Sequence, residues 1–275
     1  MTFSVGDVLA TTVKIWVRNL PRFFLLTVIC YLPILGWSWL YAAHHEVLDE
    51  HVFKPIARLH PELADVVSGK WVPLTVLSAA VAVCTVGRLG DERVTIWRAL
   101  VIAMRRLPWL VGVAFIVRVA TTGVMTVIAI VRWDDDAFAT RASAAETIVY
   151  EVLLVALVSL FIVAVPVAAV ERRGVLSSIA RAFTLARGER VKVFAIMLVE
   201  TVAIAGIFIG ADLLLLQVSD TATEYGQNFL IYAYVRFAMR VILYSLAGVL
   251  AAVIYERLRA SKEGPVPSML QRVFA

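Results

Sequence analysis

"VERRGVLSSIARAFTLARGERVKVF", residues 170–194, places six basic side chains in the middle of a chain that is otherwise strongly apolar. On a helix of 3.6 residues per turn, one face collects the apolar residues Val175, Leu176, Ile179, Ala182, Phe183 and Ala186. Ser177, Arg181 and Thr184 occupy the opposite face. This pattern predicts a helix that lies in the membrane interface, with its arginines directed at anionic headgroups and its apolar face at lipid or protein.

The composition identifies the class of protein that surrounds this helix. Hydrophobic residues make up 61% of the 275 positions and charged residues 17%, whereas soluble domains are about 45–50% apolar and about 25% charged. The mean hydropathy is +0.86. We therefore predict an integral membrane protein. The net charge of +5 does not indicate a nucleic-acid partner, because the basic residues lie at predicted membrane surfaces rather than on a soluble face.

Six apolar segments are long enough to cross the bilayer, which needs about 20 largely apolar residues. They are residues 23–43, 72–86, 109–131, 147–170, 191–216 and 229–254. Lys and Arg accumulate on the cytoplasmic side of membrane proteins. With both termini on one side, the opposite side holds only Lys54, Arg58, Lys70, Arg132 and Arg141. We predict a bacterial cytoplasmic (inner) membrane protein with both termini in the cytoplasm.

The amphipathic spacing of residues 175–186 occurs twice more, at residues 9–20 and 96–107. "RNLPRFF" and "RRLPWLV" follow these two copies, so Pro21 and Pro108 end the surface helix and start the next one. Arg187 and Gly188 take that position in the third copy. The predicted fold is an all-α single membrane domain with six transmembrane helices and three cytoplasmic-side amphipathic interfacial helices. The three predicted repeats are residues 3–87, 92–170 and 172–258. The predicted extracytoplasmic loop is residues 44–71, and the predicted cytoplasmic tail is residues 255–275.

Two sets of charged residues are candidates for binding. Five lie deep inside predicted spans: Arg118, Glu151, Glu200, Arg236 and Arg240. Buried ionisable groups in membranes are costly and are functional-site hypotheses by default. One interpretation is a set of interhelical pairs, such as Arg118 with Glu200 at similar depth. Another is a polar cavity that binds a lipid phosphate through Arg236 and Arg240, and a third is a proton or ion relay through Glu200 and Glu151.

The second set is the basic group on the predicted interfacial helices, comprising Arg18, Arg105, Arg106, Arg181 and Arg187. No cofactor motif is present. His44 and His51 would share a helical face and contribute to a zinc or copper site. Their spacing matches no metal motif, however, so we favour a solvated polar loop and predict no metal site.

Three stretches resemble the glycerophosphodiester phosphodiesterase membrane-domain family and related small bacterial membrane proteins. They are "FSVGDVLATTVKIWVRNLPRFFLL", "VPVAAVERRGVLSSIARAFTLARGERVKVF" and "YERLRASKEG". The resemblance implies a six-helix membrane domain, which in some members precedes a soluble phosphodiesterase barrel. The chain ends at Ala275 without that barrel, so the resemblance assigns no catalytic residue.

The sequence leaves three functions open. We favour a non-catalytic membrane protein that binds lipid or another anionic amphiphile and organises the cytoplasmic leaflet, because no catalytic motif is found. The alternatives are a secondary transporter or exporter of a small anionic solute, with Glu200 as coupling group, and a scaffold or assembly factor for another membrane protein. The predicted partners are membrane lipids, with a second copy or a membrane-protein partner contacting "GIFIG", residues 206–210.

Overall fold

The computed structural model describes residues 3–48, 71–90, 92, 94–131, 144–171, 173–218 and 227–264. In these segments, side chains are described except at positions 34–35, 37–48, 125–131, 144–147, 214–218, 227–238 and 240–241. The described backbone is helical and contains no strand, which confirms the predicted all-α class for this part of the chain.

The described residues form ten helices, four of them 7–14 residues long and six of them 18–37 residues long. The first group is α1 (Val5–Arg18), α2 (Leu20–Leu48) and α3 (Trp71–Leu89). The second is α4 (Ile96–Arg105), α5 (Leu107–Val131), α6 (Ala144–Phe161) and α7 (Ala164–Val170). The third is α8 (Val175–Ala186), α9 (Arg190–Val218) and α10 (Gln227–Glu263).

Four helical stretches in the described residues are long and apolar enough to cross a membrane: Trp71–Leu89, Leu107–Val124, Ile148–Val170 and Arg190–Leu213. A fifth is obtained if Val5–Arg18 and Leu20–Pro33, which meet at a bend of 78°, are counted as one span. This is the architecture of a helical membrane protein, as the composition predicts. The arrangement of six spans stays a prediction.

The break between α6 and α7 follows from a proline. Pro166 has no backbone N–H, so it cannot donate the helical hydrogen bond to the carbonyl of Ile162, four residues earlier. The helix is interrupted at residues 162–163 and resumes at Ala164. Residues 164 and 166–170 are buried, so the interruption is enclosed by protein.

Helix α3 lies at the centre of the bundle and packs on α2, α4, α5, α7 and α10. Leu77, Val81 and Val83 are fully buried on it. The packing against α10 is closest at Gly248, where an added Cβ would lie 3.1 Å from Val81 Cγ1. The corresponding predicted span has the shortest apolar run, and its position explains why a short run suffices: α3 contacts other helices along most of its length.

Candidate functional site at the amphipathic helices

The amphipathic helices α1, α4 and α8 bury one side and expose large apolar side chains on the other. Thr12 on α1, Ala99 on α4 and Ala182 on α8 are buried. On the opposite side, Trp97 is 72% exposed and Leu176 is 73% exposed. Leu176, which the helical pattern places on the apolar face directed at lipid or protein, therefore lies on the side that protein does not cover. The buried side of α8 consists of Ser178, Ala182, Leu185 and Ala186.

Helix α1 is attached to the C-terminal half of α10 at both of its ends. Near its start, Arg257 Nη2 lies 3.0 Å from Asp7 Oδ2 and donates a hydrogen bond of 3.4 Å to Thr11 Oγ1. Near its end, Trp16 Nε1 donates to Ser245 Oγ at 2.9 Å. These contacts fix the rotation of α1 about its axis, so its polar residues are held in place rather than free to turn towards lipid.

Helix α4 ends at a turn that an arginine attaches to α7. The Arg106 backbone N–H donates to Ile102 and Ala103 carbonyls, as a helix cap does. Its Nη1 donates to the carbonyls of Ala168 and Ala169 at the end of α7. A cation at a helix C-terminus satisfies carbonyls that have no partner within the helix and is favoured by the helix dipole. The sequence predicts that Arg105 and Arg106 face headgroups. In the structure Arg106 instead donates to backbone carbonyls, whereas Arg105 is exposed.

Helix α8 is held to α10 by a polar cluster that we define as Glu171, Arg181, Tyr255, Glu263 and Lys262. The side chain of Glu171 is only 6% exposed. It accepts hydrogen bonds from Arg181 Nε at 3.2 Å and from Tyr255 Oη at 3.1 Å. A buried carboxylate is costly unless several donors satisfy it. Arg173 Nε is a further donor, at 2.8 Å, from a more exposed side chain.

The rest of the polar cluster joins the C-terminal ends of α8 and α10. Arg181 Nη2 donates to Glu263 Oε1, and Arg259 Nε donates to Glu263 Oε2 at 3.0 Å. Lys262 Nζ donates to the carbonyls of Thr184 and Arg187, at 2.7 Å and 2.8 Å. Lys262 therefore supplies α8 with the cation that its own last turn lacks.

The cluster shifts the pKa of three groups beyond the last predicted span. Burial and the neighbouring Glu171 carboxylate raise the pKa of Tyr255 well above its usual range. Burial also raises the pKa of Glu256, against the opposing effect of Arg259 and Arg257. For Glu263, partial burial acts upwards, but the hydrogen bonds from Arg181 and Arg259 outweigh it and lower the pKa.

The predicted intramembrane charges differ in their exposure among the described residues. Glu200 on α9 is 8% exposed, and its Oε1 has no hydrogen-bond partner among the described residues. Its predicted pairing with Arg118 is not formed there, although Arg118 on α5 is partly buried and has interactions of its own. Glu151 on α6 is exposed. The side chains of Arg236 and Arg240, like those of His44 and residue 51, lie outside the described part of the structure.

Sequence reasoning missed Glu171, Tyr255, Glu263 and Lys262 as members of one cluster. Their signal in the sequence is weak, because Glu171 stands beside two arginines and the others are about 85 residues away. The remaining predicted basic residues lie at helix ends. Arg18 is exposed in the last turn of α1, and Arg187 is exposed directly after α8.

Comparison with known proteins assigns no family. No protein-family model, no curated protein and no solved structure matches the chain. The resemblance to the glycerophosphodiester phosphodiesterase membrane domain therefore stays a prediction from the quoted stretches.

Proposed function

We propose that the protein is a non-catalytic inner-membrane protein that binds anionic lipid and organises the cytoplasmic leaflet through α1, α4 and α8. In this proposal the chain crosses the membrane six times in three repeats, and the three amphipathic helices lie at the cytoplasmic interface. Membrane lipids are its partners.

The observation that supports the proposal is the combination of exposed apolar and basic side chains on helices whose other side is buried. Trp97 is 72% exposed, and tryptophan favours the level of the headgroups. Val13 and Val17 on α1 and Met104 on α4 are also exposed. Exposed lysine and arginine accompany them, each adding about 1 kcal/mol of attraction near an anionic surface. An apolar strip bordered by cations is the composition of an interfacial helix.

The proposal is tested by the lipid composition of native-membrane nanodiscs that contain the protein. We expect anionic lipid to be enriched over the bulk membrane for the wild type. The triple variant Lys14→Gln/Arg105→Gln/Arg187→Gln, which removes three exposed cations from or beside the amphipathic helices, is expected to lose most of this enrichment.

The matched control removes three cations from the predicted extracytoplasmic loop, as Lys54→Gln/Arg58→Gln/Lys70→Gln. It changes the net charge equally and is expected to leave the enrichment unchanged. Absence of enrichment in the wild type, or an equal loss in both triple variants, would overturn the proposal.

A further inference from the structure

A cavity of about 390 Å³ lies between the α1–α2 turn and the end of α3. Its lining residues are Arg18, Asn19, Pro21, Arg22 and Arg88. Three of these five are arginines, and none of the described residues that line it is a carboxylate. The volume falls within the range of about 300–1,000 Å³ that small-molecule sites occupy.

Asn19 builds the turn that places two of the arginines. Its backbone N–H donates to the Ile15 and Trp16 carbonyls, and its Nδ2 donates to the Ile15 carbonyl at 2.8 Å. Its own carbonyl accepts from the backbone N–H of Arg22 and of the next residue, both at 3.0 Å. Asn19 is 7% exposed, so this turn is an ordered part of the fold. Arg18 and Arg22 flank it on either side.

The arginines of this cavity have no counter-ion within the described part of the chain. Arg18, Arg22 and Arg88 take part in none of its ion pairs or side-chain hydrogen bonds. Arg22 and Arg88 also line one narrow space beside Cys84, so the two residues share a second wall of the structure. Like charges gathered in one place repel one another, and an anion between them removes that cost.

At the other two turns after amphipathic helices, Arg105 and Arg187 are exposed, but other cations have structural partners. At the end of α4, Arg106 donates to backbone carbonyls of α7. After α8, Lys192 lies 2.8 Å from Glu189, and Lys262 binds the last carbonyls of the helix. Structural roles thus account for these cations but not for the three arginines at the α1–α2 turn.

We propose that this cavity binds a phosphate group through Arg18, Arg22 and Arg88. The planar guanidinium fork makes two parallel charge-assisted bonds to phosphate, and three positive charges suit a ligand with more than one negative charge. A lipid headgroup and a soluble phosphate share this chemistry. The site goes beyond the proposed function, because it does not require the amphipathic helices to recruit lipid.

The test uses the full chain, purified and delipidated in detergent, with two probes. Native mass spectrometry measures binding of added phosphatidylglycerol, and thermal unfolding measures stabilisation by inorganic phosphate. The cavity variant is Arg18→Gln/Arg22→Gln/Arg88→Gln. We expect it to bind at least one probe about tenfold or more weakly than the wild type, since it lacks three guanidinium groups that donate charge-assisted hydrogen bonds to phosphate.

The control is Lys54→Gln/Arg58→Gln/Lys70→Gln, which removes the same charge from the predicted extracytoplasmic loop and is expected to bind both probes as the wild type does. A loss limited to phosphatidylglycerol identifies a lipid headgroup as the ligand, and a loss limited to phosphate identifies a soluble one. The proposal is overturned if the wild type binds neither probe, or if both variants weaken equally. Neither outcome bears on the nanodisc enrichment, which tests the proposed function independently.

Unliganded thermal unfolding distinguishes lost binding from lost folding. The side chains of the cavity arginines make no described hydrogen bond or ion pair, and their mutual repulsion is lost in the cavity variant, so this variant is expected to unfold at or slightly above the wild-type temperature without ligand. If the cavity variant unfolds at a clearly lower temperature than the wild type, the single variant Arg22→Gln replaces it in both assays. Unchanged binding of this variant would contradict the proposal.

Discussion

Glu171 is a buried carboxylate between α7 and α8, and its hydrogen bonds join α8 to α10. It accepts from Arg181, Tyr255 and the more exposed Arg173. Glu171→Gln keeps the shape of the side chain but removes its charge, leaving Arg181 with Glu263 alone. We expect a loss of about 3 kcal/mol in the free energy of unfolding, the usual cost of breaking a buried ion pair from one side. Thermal unfolding in mild detergent measures it.

Tyr255→Phe is the graded control for this prediction. It removes one hydrogen bond to Glu171 while the two arginine bonds remain, so a smaller loss of about 1 kcal/mol is expected. A larger effect from Tyr255→Phe than from Glu171→Gln would contradict the view that the charge of Glu171, rather than the hydroxyl of Tyr255, holds this cluster together.

At the scale of helices, α5 and α8 approach closely because Gly112 has no side chain. A Cβ at this position would lie 2.6 Å from Val175 Cγ2, which is shorter than any real contact. We therefore expect Gly112→Ala to destabilise the protein by about 1–3 kcal/mol through overpacking. Unfolding temperatures of the variants provide the measurement.

Two further variants make this test specific. Gly123→Ala lies on the same helix with open space around it, and it should be neutral or slightly stabilising because alanine favours the helix. Val175→Ala in the Gly112→Ala background removes the colliding methyl groups and should restore most of the lost stability. Failure of this rescue would show that the cost arises elsewhere on α5.

The contact between the ends of α8 and α10 is predicted to weaken in acid. The folded state holds the pKa of Glu263 below its ordinary value of 4.5, so its carboxylate stabilises the fold above pH 4.5, and that contribution is lost as the pH falls through the folded-state pKa. Glu263→Gln should therefore be less stable than the wild type at neutral pH and equal to it in acid. Burial raises the pKa of Glu256, so its charge costs stability at neutral pH. Glu256→Gln should therefore be more stable than the wild type at neutral pH and equal to it in acid. A difference between wild type and Glu263→Gln that does not change with pH would contradict the prediction.

The sequence predicts helices and their apolar faces better than it predicts polar contacts. The 3.6-residue pattern places α8 correctly, since periodicity within one segment suffices for that. It does not indicate which part of the apolar face packs on protein: Leu176 is exposed, whereas Ser178 is buried. Glu171 and Tyr255 are 84 residues apart, and no local pattern indicates that they meet. Likewise, Arg22 and Arg88 are predicted only as cytoplasmic cations, because the cavity between them depends on the packing of α2 against α3.

At the scale of the whole molecule, the orientation that the distribution of lysine and arginine predicts is tested by cysteine labelling. In a background without Cys30 and Cys84, single cysteines replace Lys14, Arg58 and Ser261. An impermeant maleimide should label Arg58→Cys in intact cells but Lys14→Cys and Ser261→Cys only after permeabilisation, because an even number of crossings returns the chain to the cytoplasm. Labelling of Ser261→Cys from outside, with Lys14→Cys protected, would establish an odd number of spans. The polar cluster between α8 and α10 would then face away from the cytoplasm, and the six-span arrangement would be wrong.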